Sequence, residues 1–140
     1  MFTAVVWRSD SRSQLAEAYR AAAPREFVAV LGGRIEEQTA CVEQVIVMPN
    51  VAVTGDAFEV DAATFAQCEH TMRAASHCML GFAHSHVDGH ASPSVRDREQ
   101  LWTDCLQVIV SREQCRAFVL DAQRHVHALR DASPTAEVCR

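Results

Sequence analysis

Four residues in one short stretch have the types and spacing for chemistry. His84 and His86 stand two apart, Ser94 follows ten residues after the first, and Asp97 comes three further on. An apolar run, Cys78-Met79-Leu80-Gly81-Phe82-Ala83, leads into His84 and places the pair at the end of a buried strand. Successive strand side chains point to opposite faces, so both imidazoles project from the same one. Two imidazole nitrogens held side by side offer two legs of a zinc site, and a carboxylate oxygen is a usual third. Asp97 supplies it if the polar loop from Val87 to Ser92 folds back over the strand end. Three protein ligands leave one coordination position for water, the layout of a catalytic zinc rather than a structural one.

Simpler readings compete with this one. A lone His-x-His is ordinarily two polar residues on the exposed face of a strand. Ser94 and Asp97 also fit the S/T-x-x-D/E signature of a helix N-terminus, which needs no metal. The chain supplies its own control, because His125-Val126-His127 is a second His-x-His. Ten and thirteen residues after His125 come Thr135 and Val138, and neither completes the set. Capping and metal binding are compatible, since a carboxylate on the first helical turn can cap the helix and still face an ion. The full spacing favours the metal. Asp88 and His90, in the same loop, are within reach as spare ligands or as partners of the ligands; plain loop roles suit them better.

With 140 residues, 49% of them hydrophobic, the chain reads as one domain over 1–140 with ample core material. The net charge of −5 argues against nucleic acid or an anionic membrane as partner, and there is no basic run. No stretch approaches the roughly 20 apolar residues that span a bilayer. The start lacks the charged leader of a signal peptide, so a cytoplasmic protein is expected. The six cysteines (41, 68, 78, 105, 115, 139) form no C-x-x-C pair, and several sit in apolar segments; reduced cysteines that bind no metal are expected. All 13 basic residues are arginines. A GC-rich coding sequence accounts for that; the functional alternative is a protein that works beside a lysine-modifying system and offers no lysine of its own.

Hydrophobic periodicity gives the elements. Phe2 to Trp7 reads as a strand, and Ser9-Asp10-Ser11 caps a helix over 12–22 with Leu15, Ala18, Tyr19 and Ala22 on one face. Pro24 ends that helix. Arg25 to Gly33 reads as a buried strand closed by a Gly32-Gly33 turn. Next comes a strand over 38–47 with Val42, Val45, Ile46 and Val47 as core candidates. A loop over 51–56 carries a Thr-Gly turn, and Phe58 to Val60 is a short strand. Asp61 caps a helix over 62–75 with Phe65, Cys68, Met72 and Ala75 as its buried stripe. After the strand over 78–86, Ser94 opens a helix to Asp104 anchored by Leu101 and Trp102. Strands over 108–110 and 116–121 join through a turn at 111–114. An edge strand over 125–129 and a frayed tail over 131–140 complete the chain. The order predicts an α+β or mixed α/β fold with helices flanking a curved sheet.

At His84, His86, Ser94 and Asp97 the sequence resembles the JAMM (JAB1/MPN+) zinc metallopeptidases. Their signature is an upstream Glu, then His-x-His, seven residues, Ser, two residues and Asp. Pro93 matches a frequent companion of the serine, whereas Val87 stands where a proline commonly follows the second histidine. The resemblance implies a minimal prokaryotic member with a curved, partly barrel-like mixed sheet flanked by helices, a JAB1/MPN-like and cytidine-deaminase-like fold. It implies that Glu26, in Pro24-Arg25-Glu26 ahead of the run to Gly33, is the general base, although Val28-Ala29 replaces the family's usual Cys-Gly. Glu36 and Glu37, past the two glycines, are the rivals for that role.

It further implies one zinc ion held by His84, His86 and Asp97, with Ser94 donating a hydrogen bond to the developing oxyanion. The implied substrate is the amide or isopeptide bond after the C-terminal tail of a ubiquitin-like protein, with Pro49 to Phe58 as a wall of the tail's channel. E1- and E2-like proteins of a bacterial or antiphage conjugation system are the implied partners, and the chain is expected as a monomer or homodimer. Two alternatives belong to the same resemblance. One is a peptidase that releases an amino acid from a sulfur-carrier protein; the other is a non-catalytic MPN scaffold, although such scaffolds characteristically lack the ligands kept here.

Overall fold

The computed structural model describes residues 1–8, 10–53, 58–87, 89–112 and 114–134. The apolar runs around residues 28–31 and 78–83 become the middle of the sheet, because a strand covered on both faces needs apolar side chains at nearly every position. Strand β2 (Val28–Glu36) lies between β3 (Thr39–Met48) and β4 (Cys78–Ser85), antiparallel to both. Parallel to β3 runs β1 (Ala4–Trp7), and parallel to β4 runs β5 (Leu106–Val110). Beyond β5 come β6 (Cys115–Leu120) and β7 (Val126–Ala128), and beyond β1 comes β8 (Arg130–Asp131). The order is β7-β6-β5-β4-β2-β3-β1-β8.

The two ends of this order are one piece of backbone. Residues 126–128 pair with β6 and residues 130–131 with β1. Between them the Leu129 N–H donates to Ala117 O and the Arg130 N–H to Thr3 O. The sheet is therefore bent into a nearly closed, barrel-like form with helices on both faces, as the α+β reading expects.

Helix α1 (Ser11–Ala22) lays Leu15, Ala18, Tyr19 and Ala22 against Val5, Trp7, Leu31 and Leu106. Helix α2 (Ala62–Ala74) lays Cys68 and Met72 against Val28, Val30 and Met48 on the other face, and the Asp61 side chain accepts its Thr64 N–H as a cap. No described helix is long and apolar enough to cross a membrane.

Several boundaries differ from the sequence expectation, each for a tertiary reason. Gly32-Gly33 is not a turn: β2 runs through it to Glu36, and the pair sits at register shifts against both neighbouring strands. A side chain at Gly33 would put its Cβ 1.9 Å from Cys41 O, so close strand approach, not chain reversal, calls for glycine there. Phe58–Val60 forms no strand, because the Glu59 N–H is taken by the Asn50 side chain and Glu59 O by the Val51 N–H. The third helix, α3 (Val95–Gln100), stops four residues short of Asp104. Its end is capped from afar, as the Arg124 guanidinium donates to Arg98 O and Leu101 O. Leu101 is buried but Trp102 is half exposed; Val47 and Ala75 also face solvent rather than core.

Residues 131–133 are not frayed, for Asp131 belongs to β8, the Ala132 N–H donates to Val5 O, and Ser133 Oγ accepts the Trp7 N–H. The rest of the expected tail, 135–140, and the Thr-Gly turn at Thr54-Gly55 lie outside the described residues.

Candidate metal centre

β4, flanked by β2 and β5, delivers both histidines at its C-terminal end. His84 sits in register with Val28 on one side and Ile109 on the other, fully buried. His86 lies one residue past the strand, held by its N–H bond to Val110 O. Ser85 between them fixes the strand end to the segment before β2: its Oγ accepts the Phe27 N–H (2.8 Å), and its N–H donates to Phe27 O (3.2 Å).

The carboxylate arrives on the first turn of α3. Ser94 is the N-cap, its Oγ accepting the Asp97 N–H at 3.0 Å, while Asp97 Oδ2 accepts the Ser94 N–H at 2.9 Å. This reciprocal capping box turns Asp97 inward, where it is 5% exposed. Cap and candidate ligand are thus the same side chain, as the sequence reading allows.

The donor atoms of the three residues converge, with each carboxylate oxygen facing one histidine. His84 Nε2 and His86 Nε2 are 3.2 Å apart, His84 Nε2 is 3.2 Å from Asp97 Oδ1, and His86 Nε2 is 2.9 Å from Asp97 Oδ2. A tetrahedral zinc site with bonds near 2.0–2.1 Å has ligand–ligand edges of about 3.3 Å, so the set is close to the right size. The chemistry of the donors points the same way. His86 Nδ1 lies 2.9 Å from His90 O and donates its N–H there, which leaves the lone pair of the neutral ring on Nε2. That lone pair faces a second imidazole nitrogen and a carboxylate oxygen. A proton satisfies one such pair at a time, whereas a cation at the centre satisfies all three.

Protonation preferences fit as well. Burial holds His84 below its ordinary pKa, against the pull of Asp97, and so favours the neutral imidazole that a metal requires. Burial alone would push the Asp97 carboxyl up, but hydrogen bonds from both histidines and from the Ser94 N–H prevail and hold it well below the usual carboxylate range. His86 is shifted up, first by its bond to Asp97, so at this ligand a proton competes with a metal. His84 Nδ1 is buried with no hydrogen-bond partner among the described residues, and the Phe58 ring packs over the imidazole with centroids 4.7 Å apart.

Glu26, 8% exposed and two residues ahead of β2, opens into the same cavity of about 990 Å³ as His86, Ser94 and Asp97. Its charge is close enough to raise the pKa of His86. Its backbone is anchored by Asn50, whose Nδ2 donates to Glu26 O at 2.8 Å and whose Oδ1 accepts the N–H groups of Ala52 and Glu59 at 3.0 Å. Ala52, Val53 and Phe58 of the expected channel wall border this cavity. The rivals Glu36 and Glu37 are exposed at the far end of the β2–β3 hairpin. His90 contributes its carbonyl to the site, and Asp88 lies outside the described residues.

Among the described residues, His84, His86 and Asp97 are the group of three or more potential ligands close enough to hold one ion. The five described cysteines are free, and Cys139 lies outside the described residues. Sequence reasoning missed Ser85, and it placed Asn50 and Phe58 only within the expected channel wall, not as the residues that hold Glu26 and cover His84. Pro49-Asn50 and the serine between the histidines were the only local signals.

A family model described as prokaryotic homologs of the JAB domain matches residues 8–133. Among solved structures, a protein from Desulfitobacterium hafniense, solved in solution, has a TM-score of 0.83 at 23% identity, covering 93% of this chain and 92% of its own. A solution structure from Salinibacter ruber has a TM-score of 0.71 at 21% identity, covering 94% and 93%. A JAB1/MPN domain protein from Archaeoglobus fulgidus has a TM-score of 0.56 at 17% identity, covering 90% and 97%. No curated protein matches the chain in sequence. At these identities the solved structures speak for the fold alone, and the fold is the expected one.

Proposed function

Because this chain belongs to the family of prokaryotic homologs of the JAB domain, we propose that it is a zinc-dependent peptidase or isopeptidase. Its substrate on this reading is the amide or isopeptide bond after the C-terminal tail of a ubiquitin-like protein. The observation that carries the reading is the convergence of His84, His86 and Asp97 on one point of a cavity that also holds Glu26 and Ser94. Zinc, when bound there, supplies a Lewis acid and brings the pKa of a water towards neutrality.

The remaining work falls to the chain's own residues. Glu26 takes a proton from the attacking water at its carboxylate and returns it to the departing amine nitrogen. Asn50 and Ser85 hold the two ends of the peptide group that follows that carboxylate's Cα, through Glu26 O and the Phe27 N–H. Ser94 Oγ already accepts the Asp97 N–H, which leaves its own hydrogen to donate to the oxygen that becomes negative. Phe58, over the His84 ring, shields that imidazole from the water of the cavity. An extended tail can run along the wall formed by Ala52 and Val53.

The test is zinc-loaded protein against linear fusions and lysine-linked conjugates of ubiquitin-like proteins. The wild type cleaves at the end of the tail. Glu26→Gln keeps near one zinc per chain and loses on the order of 10² to 10⁴ in rate, the usual scale for a general base. Retained cleavage in that variant removes Glu26 from its role. A wild type that binds zinc yet cleaves nothing in the panel points to the scaffold reading.

A further inference from the structure

The cavity runs well past the metal centre, and its far arm is aromatic. Phe82 precedes His84 by two residues on β4 and so shares its face of the sheet, with Cα atoms about 7 Å apart. Phe65 of α2 and Trp102, just after α3, meet Phe82 there. The ring centroids are 5.7 Å apart for Phe65–Phe82, 5.0 Å for Phe82–Trp102 and 5.7 Å for Phe65–Trp102, with the Trp102 plane nearly perpendicular to both partners.

All three rings line the cavity, and none is fully buried, Trp102 being 54% exposed. An incompletely covered phenylalanine on a central strand is unusual, since α2 closes this face further along with Cys68 and Met72. Val28 and Leu101 extend the apolar lining. Trp102 is fixed from below, because its carbonyl accepts the Nε2–H of Gln107, a fully buried side chain on β5. The wall is therefore built, and contiguous with the point where the bond would be cut.

We propose that this arm is a specificity pocket for one bulky apolar side chain of the substrate, aromatic by preference, about two residues from the scissile bond. The inference rests on the peptidase reading and deepens it. A substrate whose scissile bond lies at the centre extends along the cavity, and 7 Å is the span of two extended residues. Glycine there would leave the aromatic wall in water. An aromatic side chain buries it and gains edge-to-face contacts with Trp102 and Phe82.

Two measurements on the full chain test this. In ¹⁵N-labelled protein, N-acetyl-phenylalanine amide should shift the Trp102 indole N–H saturably, while N-acetyl-glycine amide should not. Trp7, the other tryptophan, is buried on the opposite face of the sheet and serves as the internal reference. No saturable shift at Trp102 overturns the pocket, whatever the activity. Zinc-loaded protein is then given a mixed peptide library, and the cut sites are read by mass spectrometry. Aromatic residues should be enriched about ten-fold or more at one fixed position near the cut, and Trp102→Ala should abolish most of that enrichment. Cleavage without enrichment, or enrichment that survives Trp102→Ala, overturns the pocket and leaves the peptidase reading standing. Saturable binding without any cleavage supports the pocket and counts against the peptidase.

Discussion

Two His-x-His tripeptides in this chain share a pattern and differ in where the sheet puts them. His84 and His86 end a strand held between two neighbours; His125 and His127 lie at the outer strand β7. Each pair even has an aspartate. At the first, Asp97 is buried and touches both Nε2 atoms; at the second, Asp121 reaches His127 Nε2 at 2.7 Å but His125 Nδ1 only at 3.7 Å, with the imidazoles 44% and 78% exposed. Both carboxylates are also braced by backbone, Asp97 by the Ser94 N–H and Asp121 by the Gln123 and His125 N–H groups. The tripeptide and the aspartate are therefore not what make a metal centre. Position in the sheet is, because a central strand aims both rings at one buried point while an edge leaves them to solvent.

The largest expected contrast is in metal affinity. Asp97→Ala should weaken zinc binding by about 100-fold or more, the upper end of what loss of even an outer partner costs, while Asp121→Ala should leave zinc near one per chain. Elemental analysis and competition with a chelator read both; equal loss in the two variants would erase the distinction. Next in size is the middle residue of each tripeptide. Ser85→Ala strands the buried Phe27 N–H and should cost about 1–3 kcal/mol in denaturant unfolding, whereas Val126→Ala on the exposed strand should stay within about 0.5 kcal/mol.

Acid gives a third contrast in metal-free protein. Both aspartates are held below the ordinary value of about 3.9, Asp97 by bonds from His84 and His86 that outweigh burial, Asp121 by the bond from His127. A depressed folded-state pKa means stability that is present above the unfolded value and lost as pH falls through the folded one. Urea midpoints taken from pH 6 down to pH 2 should show this loss in the wild type and less of it in Asp97→Asn. Added salt should screen away the Asp121 share and spare that of Asp97. Smallest of all, replacing His125 and His127 together by Gln should leave zinc content unchanged and stability within about 0.5 kcal/mol.

What could be read in the sequence was what depends on near neighbours. His84, His86, Ser94 and Asp97 are linked by spacing alone, and Asp61 announces α2 because a cap acts three residues ahead. Gly32-Gly33 misled, since glycine serves close strand approach as well as turns and only the partner, Cys41 O, tells which. The early end of α3 depends on Arg124, some two dozen residues on. The role of Asn50 was hidden for the same reason: it takes the Glu59 N–H and braces Glu26, contacts that exist only once the chain is folded. The second aspartate went unseen because it precedes its histidines.

The backbone from Val126 to Asp131, shared by the two edges of the sheet, also bears on how the chain folds. Pairing residues 4–5 with 130–131 joins positions almost a whole chain apart. The entropy of closing a loop grows only with the logarithm of its length, about 0.6 kcal/mol per doubling, so this union burdens equilibrium little. Speed is another matter, because distant pairings delay folding towards the millisecond-to-second range of β-rich domains. Strand β4 and its neighbours β2 and β5 pair without the seam between the sheet's edges, so the site's scaffold does not wait on that distant union.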